Sequence, residues 1–249
     1  MTDKKIKTGE LFNELLKRVP SKELKSWENT LRQGVVAQKL IPNSIAVGGT
    51  ATALYAGHRI SLNVDCLLLN LRETFQEVLD TLENTENWET AKLAVPNLIL
   101  GRLNSAEIGF RQIKYQTRLE TVSMETEYGI ITIPTMHELL CMKAVLIYLR
   151  NTTRDFLDFY ALATLLTEKE LINLLLNIGN RFVGVVSNNL AFEISKKLAS
   201  VQPIDLDKTN LDSYKALDKK YSDWNMIKTF CERIAVLLAQ KLLNSKNET

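Results

Sequence analysis

The sequence predicts an α+β fold: a mixed sheet core with N-terminal helices over residues 1–134, then a helical domain over residues 135–249. Three observations predict it. Short β-prone runs, alternating or wholly apolar, recur between Ser44 and Ile133. A double glycine, Gly48-Gly49, separates the first of these runs from a short stretch of small residues. From Thr135 onward the apolar residues recur at helical spacing instead.

The elements follow in order. Leu11 to Arg18 and Ser21 to Leu40 read as two helices broken at Pro20, with Ser21 the N-cap candidate of the second. Ser44 to Val47 is a short strand, and the glycines after it permit a tight turn and close approach to main-chain N–H groups. Thr50 is placed to cap a helix over Ala51 to Gly57. Leu62 to Leu69 is an apolar strand interrupted by Asn63 and Asp65, which alternation puts on one face. Arg72 to Leu82 is an amphipathic helix with Phe75, Val78, Leu79 and Leu82 inward. Trp88 to Ala94, Asn97 to Leu103, Ala106 to Lys114, Leu119 to Met124 and Tyr128 to Ile133 complete the strands, in one mixed sheet. Thr135 and Glu138 have capping-box spacing at the start of a helix reaching Arg150, with Leu139, Met142, Leu146 and Leu149 as its core side. Arg154 to Leu166 is a further helix, with Arg154 and Asp158 spaced to pair. Thr167 with Glu170 is a second capping box; Val183 to Leu198 and a final segment with Ile227, Phe230, Ile234, Leu237, Leu238 and Leu242 continue the helical pattern.

Composition narrows the function classes. Thirty-one basic against 29 acidic residues give a net charge of +2, so bulk charge does not mark a nucleic-acid binder. Lys208, Lys215, Lys219 and Lys220 are interleaved with acidic residues and read as a solvated face. Cys66, Cys141 and Cys231 lie far apart in apolar segments, without zinc spacing, and are expected as buried thiols. The first residues, MTDKKIKTGE, carry no apolar signal core, and no apolar run has membrane-spanning length, so a cytoplasmic location without membrane contact is expected.

The residues that carry chemistry cluster between Ile45 and Leu69. A helix N-terminus after a glycine turn suits an anion, and a carboxylate and an amide on one strand face suit a cation. From the glycines alone, an ordinary glycine turn and a polar strand start in an α/β fold is the favoured reading. The combination goes further. Gly48-Gly49-Thr50, then His58-Arg59-x-Ser61, then Asn63-x-Asp65 resembles the first motif of the nucleotidyltransferase superfamily, in its AbiEii/AbiGii-type toxin branch. Glu138 to Arg150 followed by Arg154-Asp155-Phe156-Leu157-Asp158 resembles that branch's acidic-x-x-x-x-Lys helix and R-D-F-x-D signature, in the expected order.

The resemblance implies a nucleotidyltransferase-like core and a role for each matching residue. Asp65, Lys143 and Asp158 would be catalytic, Lys143 facing phosphates and Asp158 orienting the acceptor or a basic residue. Gly48, Gly49, Thr50, Arg59 and Ser61 would contact the nucleotide. Asn63, Asp65 and Glu107 would hold a divalent cation, Mg²⁺, with an NTP as substrate. An RNA or protein acceptor and a cognate antitoxin are the implied partners. The chain departs from the pattern at two places. Asn63 stands where the first motif Asp is usual, and an amide is a poorer ligand for a hard cation. The third carboxylate falls at Glu107 or is absent at Gly109. A transferase and a nucleotide- or protein-binding module whose metal site has lapsed are therefore both open, as is a structural protein without ligand. Of the two histidines, His58 is expected in a local hydrogen bond and His137 at the surface.

Overall fold

The computed structural model describes residues 5–113, 119–182, 189–206 and 211–247. The chain divides into two compact units: residues 1–114 with 120–135, and residues 115–119 with 136–249.

In the first unit a five-stranded mixed sheet is built from β2 (Ile45–Val47), β3 (Asn63–Leu68), β4 (Trp88–Ala94), β5 (Leu98–Leu103) and β6 (Ala106–Gln112), preceded in the chain by β1 (Lys5–Lys7). Its order is β2-β3-β6-β5-β4, with only the β3–β6 pair parallel. A second sheet holds β1, β7 (Thr121–Thr126) and β8 (Gly129–Pro134) in the order β1-β7-β8. The single sheet expected from sequence is thus two, because β7 pairs with β8 on one side and with the polar N-terminal β1 on the other rather than with β6. Two helices, α1 (Glu10–Arg18) and α2 (Ser21–Leu40), precede β2; α3 (Gly48–Ala56) and α4 (Leu71–Glu83) flank β3 in sequence.

Alternation sets what each sheet face carries. Val64, Cys66 and Leu68 of β3, Ile108 and Phe110 of β6, and Ile99 and Leu103 of β5 are buried and form the apolar side, together with Trp27, Leu31 and Val35 of α2 and Phe75 and Leu82 of α4. Asn63 and Asp65 of β3 and Glu107, Gly109 and Arg111 of β6 occupy the alternate positions. Two expected caps are not side-chain caps. Pro20 rather than Ser21 is the N-cap of α2. Helix α3 begins at Gly48, so Thr50 lies inside its first turn, and its buried hydroxyl donates to the Asn63 carbonyl at 2.6 Å instead.

The second unit is helical: α5 (Met136–Arg150), α6 (Thr153–Ala163), α7 (Glu168–Leu176), α8 (Leu190–Ala199) and α9 (Trp224–Asn247). Thr167 and Glu170 form the expected capping box at α7. Residues 183–188 of the expected helix before Leu198, Lys208 and Lys114 lie outside the described residues. Leu149, expected in the core, is 52% exposed at the last turn of α5, while Leu139 and Met142 are buried. Cys66, Cys141 and Cys231 are buried free thiols. Among the described residues no helix is long and apolar enough to cross a membrane.

Candidate functional site

The double glycine is explained by two different needs. Gly48 has φ +74°, a backbone conformation that L side chains rarely adopt, and its hypothetical Cβ would stand 3.7 Å from Asp65 Oδ2. Gly49 leaves no room: a Cβ there would meet Arg59 Nη2 at 2.7 Å and Ser61 Oγ at 2.9 Å. The turn therefore brings the N-terminus of α3 against the first residues of β3. Its free N–H groups and dipole make that end attractive to an anion.

Around this turn the predicted residues do converge, though not all in the roles expected. His58, Arg59 and Ser61 are buried. Arg59 Nη1 donates to the Ile60 carbonyl at 3.1 Å, so this guanidinium helps hold the loop together. Ser61 Oγ donates to Asn63 Oδ1 at 3.0 Å, and Asn63 Nδ2 donates to Asp65 Oδ2 at 3.3 Å. Arg111 Nε donates to the other carboxylate oxygen, Oδ1, at 3.1 Å. The result is a chain of bonds from Ser61 through Asn63 and Asp65 to Arg111, running from the loop across two parallel strands.

The β3–β6 register sets where each carboxylate can reach. Asn63 pairs with Glu107, and Asp65 pairs with Gly109. The neighbouring-strand position opposite Asp65 thus has no side chain. Built there, a Cβ would come within 3.0 Å of Asp65 Oδ1 and 2.7 Å of Leu100 Cδ2. Glu107 is 62% exposed and lies 3.6 Å from Arg102 Nη2. Asn63, Asp65, Leu100, Arg102, Glu107 and Arg111 line a shallow recess of about 240 Å³ on this face. An adjoining recess of about 470 Å³ shares Arg102 and Glu107.

As arranged, these donors suit the divalent cation that the motif resemblance implies poorly, because their polar atoms are taken up by one another. Magnesium requires near-octahedral oxygen coordination, usually with one or two carboxylates beside water and substrate oxygens. Here Asn63 directs its amide N–H to Asp65 and its oxygen to Ser61, and Asp65 is already neutralised by Arg111. Among the described residues no three His, Cys, Asp or Glu side chains converge to hold a metal ion. Behind the site, burial pushes the Cys66 thiol up to about 12, with the charge of Asp65 adding to the effect. Tyr55, whose hydroxyl donates to the Pro134 carbonyl at 2.9 Å, is also raised by burial.

The remaining predicted residues, Lys143 and Asp158, belong to the helical unit and meet each other. Lys143 Nζ donates to Asp158 Oδ2 at 2.6 Å, with the two side chains 3% and 0% exposed. The pairing of Arg154 with Asp158 expected from spacing does not form: Arg154 is exposed, and Asp158 faces Lys143 on the neighbouring helix. Arg150 instead holds Asp155 through two bonds, at 2.6 and 3.2 Å. Glu138, placed by sequence in a capping box, accepts from Arg181 at 2.6 Å. Sequence reasoning did not single out Arg111. The signal was present, since Glu107, Gly109 and Arg111 alternate along one strand and must share a face with each other.

Comparison with known proteins defines the class of fold. A solved structure of a candidate nucleotidyltransferase from H. pylori superposes with a TM-score of 0.54 at 15% identity, covering 90% of this chain and 98% of that one. A nucleotidyltransferase-like antigenic protein from Paracoccidioides brasiliensis gives a TM-score of 0.42 at 18% identity, over 61% of this chain and 88% of that one. The mixed sheet and its helices therefore have a nucleotidyltransferase fold. No family model matches the chain. A curated protein, the mycolic acid-containing lipids exporter MmpL11 of Mycolicibacterium smegmatis, is 28% identical over 126 residues, 49% of this chain. The chain spans 13% of that exporter's length.

Proposed function

We propose that the protein binds a nucleotide by its phosphates on the open face of the five-stranded sheet, as a nucleotide-binding module from which metal-dependent transfer has lapsed. The observation that carries this reading is the placement of the Gly48-Gly49 turn. It sets the N-terminus of α3 beside Asp65, whose partner Arg111 lines a recess open to solvent. N–H groups of the turn and an arginine fork are the donors that phosphate oxygens need. The nucleotidyltransferase fold gives such a ligand a setting, while Asn63 and Gly109 stand at two positions where the motif resemblance implies carboxylates for metal-dependent transfer. Calorimetric titration of ATP, GTP, CTP and UTP into the protein tests this. Saturable binding that falls in Asp65→Ala and Arg111→Ala is expected, and absence of binding for all four nucleotides would refute it.

One observation favours a second reading. Asp65, the carboxylate that the motif resemblance makes catalytic, is kept and lines the recess on the open sheet face. On that reading the protein is a toxin-type transferase moving a nucleotide from an NTP to an RNA or protein acceptor, held in check by an antitoxin. Incubation of α-labelled NTPs with Mg²⁺, total RNA and cell lysate separates the two. Label carried onto RNA or protein by the wild type, and lost in Asp65→Ala, would establish transfer; unlabelled acceptors alongside measurable binding favour the module.

A further inference from the structure

We infer that Arg111 takes the place of a metal ion: the site accepts the phosphate chain of a metal-free nucleotide directly on this guanidinium. The inference rests on the nucleotide reading above and specifies the ionic form of its ligand.

Three observations lead to it. First, the positive charge next to Asp65 is supplied by the protein itself, since Arg111 Nε lies 3.1 Å from Asp65 Oδ1. Second, the neighbouring-strand position that would complete a carboxylate pair with Asp65 is Gly109. A side chain there would start 3.0 Å from the same Asp65 oxygen, so the position is aimed at Asp65 but carries no ligand. Third, Arg111 is only partly committed. It uses Nε on Asp65, remains 45% exposed, and has no other hydrogen bond among the described residues. Its terminal N–H groups are available for a bidentate contact with phosphate oxygens.

The remaining parts of the site serve this arrangement. Asp65, held by Asn63 Nδ2 at 3.3 Å, fixes the orientation of the arginine from the strand beside it. Asn63 is itself held by Ser61 at 3.0 Å and is neutral, so it adds no second negative charge to repel a phosphate. Arg102, lining the same recess, is a second cation on this face, offset by Glu107 at 3.6 Å. A divalent cation would have to displace the Arg111 guanidinium from Asp65, the carboxylate at the centre. The Asn63 and Gly109 departures and the Arg111 contact therefore form one coherent set. Magnesium carried by the nucleotide would occupy phosphate oxygens that the guanidinium needs.

The test is ATP binding by calorimetry, in EDTA and again with excess MgCl₂, for the wild type and Arg111→Gln. Inorganic tripolyphosphate serves as a competitor. The wild type is expected to bind ATP in EDTA, and magnesium is expected not to tighten it. Arg111→Gln, a change at a half-exposed side chain, should weaken binding by about tenfold or more, the loss of a charge-assisted contact. Tripolyphosphate should displace ATP, because the phosphate chain is the recognised part. Binding that requires magnesium would overturn the inference and leave the nucleotide reading standing. Equal binding by Arg111→Gln, or failure of tripolyphosphate to compete, would likewise overturn it. Absence of binding in both conditions, for ATP and equally for GTP, CTP and UTP, would remove the nucleotide reading and the inference with it.

Discussion

Replacing Lys143 by Met leaves the Asp158 carboxylate at the centre of the helical unit without its lysine. The pair is short, 2.6 Å, and its side chains are 3% and 0% exposed, so water cannot take over the lost contact. Breaking a buried pair on one side costs about 3–5 kcal/mol, chiefly because the surviving charge stays desolvated. Neutralising both partners removes that penalty. Lys143→Met is therefore expected to lower the melting temperature of its unit by about 15 °C, at several degrees per kcal/mol for a unit of roughly a hundred residues. Lys143→Met combined with Asp158→Asn should recover about 2 kcal/mol of the loss. Urea unfolding followed by circular dichroism, read for both variants against the wild type, measures this directly. A Lys143→Met variant within about 1 kcal/mol of wild type, as for an exposed ion pair, would refute the reasoning. The same experiment governs how activity data are read, since a lysine that supports the fold cannot be called catalytic because its variant is inactive.

Two further outcomes are expected. Gly49→Ala should be destabilising by about 1–3 kcal/mol, the usual cost of forcing volume into a packed site. The added methyl would stand 2.7 Å from Arg59 Nη2 and 2.9 Å from Ser61 Oγ, and a lower urea midpoint with an unchanged slope would show the effect. Cys66 and Cys231 are both raised by burial, Cys66 from an ordinary 9.0 up to about 12, so neither thiol should react with a thiol reagent at pH 8 until the protein is unfolded. The sign for stability follows: a raised pKa favours the folded state below the unfolded value near 9.0, and that contribution is lost as pH rises toward 12. A urea midpoint that climbs between pH 9 and 11 would contradict the assignment.

Much of this was legible in the sequence where a local rule sufficed. The capping box of Thr167 and Glu170 needs only three residues of spacing, and it forms. The shared face of Asn63 and Asp65 follows from alternation alone, and the helical positions of Phe75, Val78, Leu79 and Leu82 from their period. What was missed depended on partners distant in the chain. Thr50 is a reasonable cap by type, but its hydroxyl is taken by the Asn63 carbonyl once β3 lies beside α3. The second sheet was hidden because Lys5–Lys7 is short and polar, and only its pairing with β7 makes it a strand. Lys143 read as a phosphate ligand through the motif resemblance, and the structure buries it against Asp158 of the next helix. Arg111 could be placed on the face of Glu107 and Gly109 from sequence, but its meeting with Asp65 depends on the parallel β3–β6 register, which no local pattern specifies.

The central claim is that a nucleotide sits at the Gly48-Gly49 turn beside Asp65 and Arg111. Hydrogen–deuterium exchange, compared with and without saturating ATP, tests that location most directly. Slower exchange in peptides covering residues 45–65 and 98–112, with little change elsewhere in the first unit, is the predicted result. Unchanged exchange in both segments at saturation, or protection confined to other parts of the chain, would contradict it.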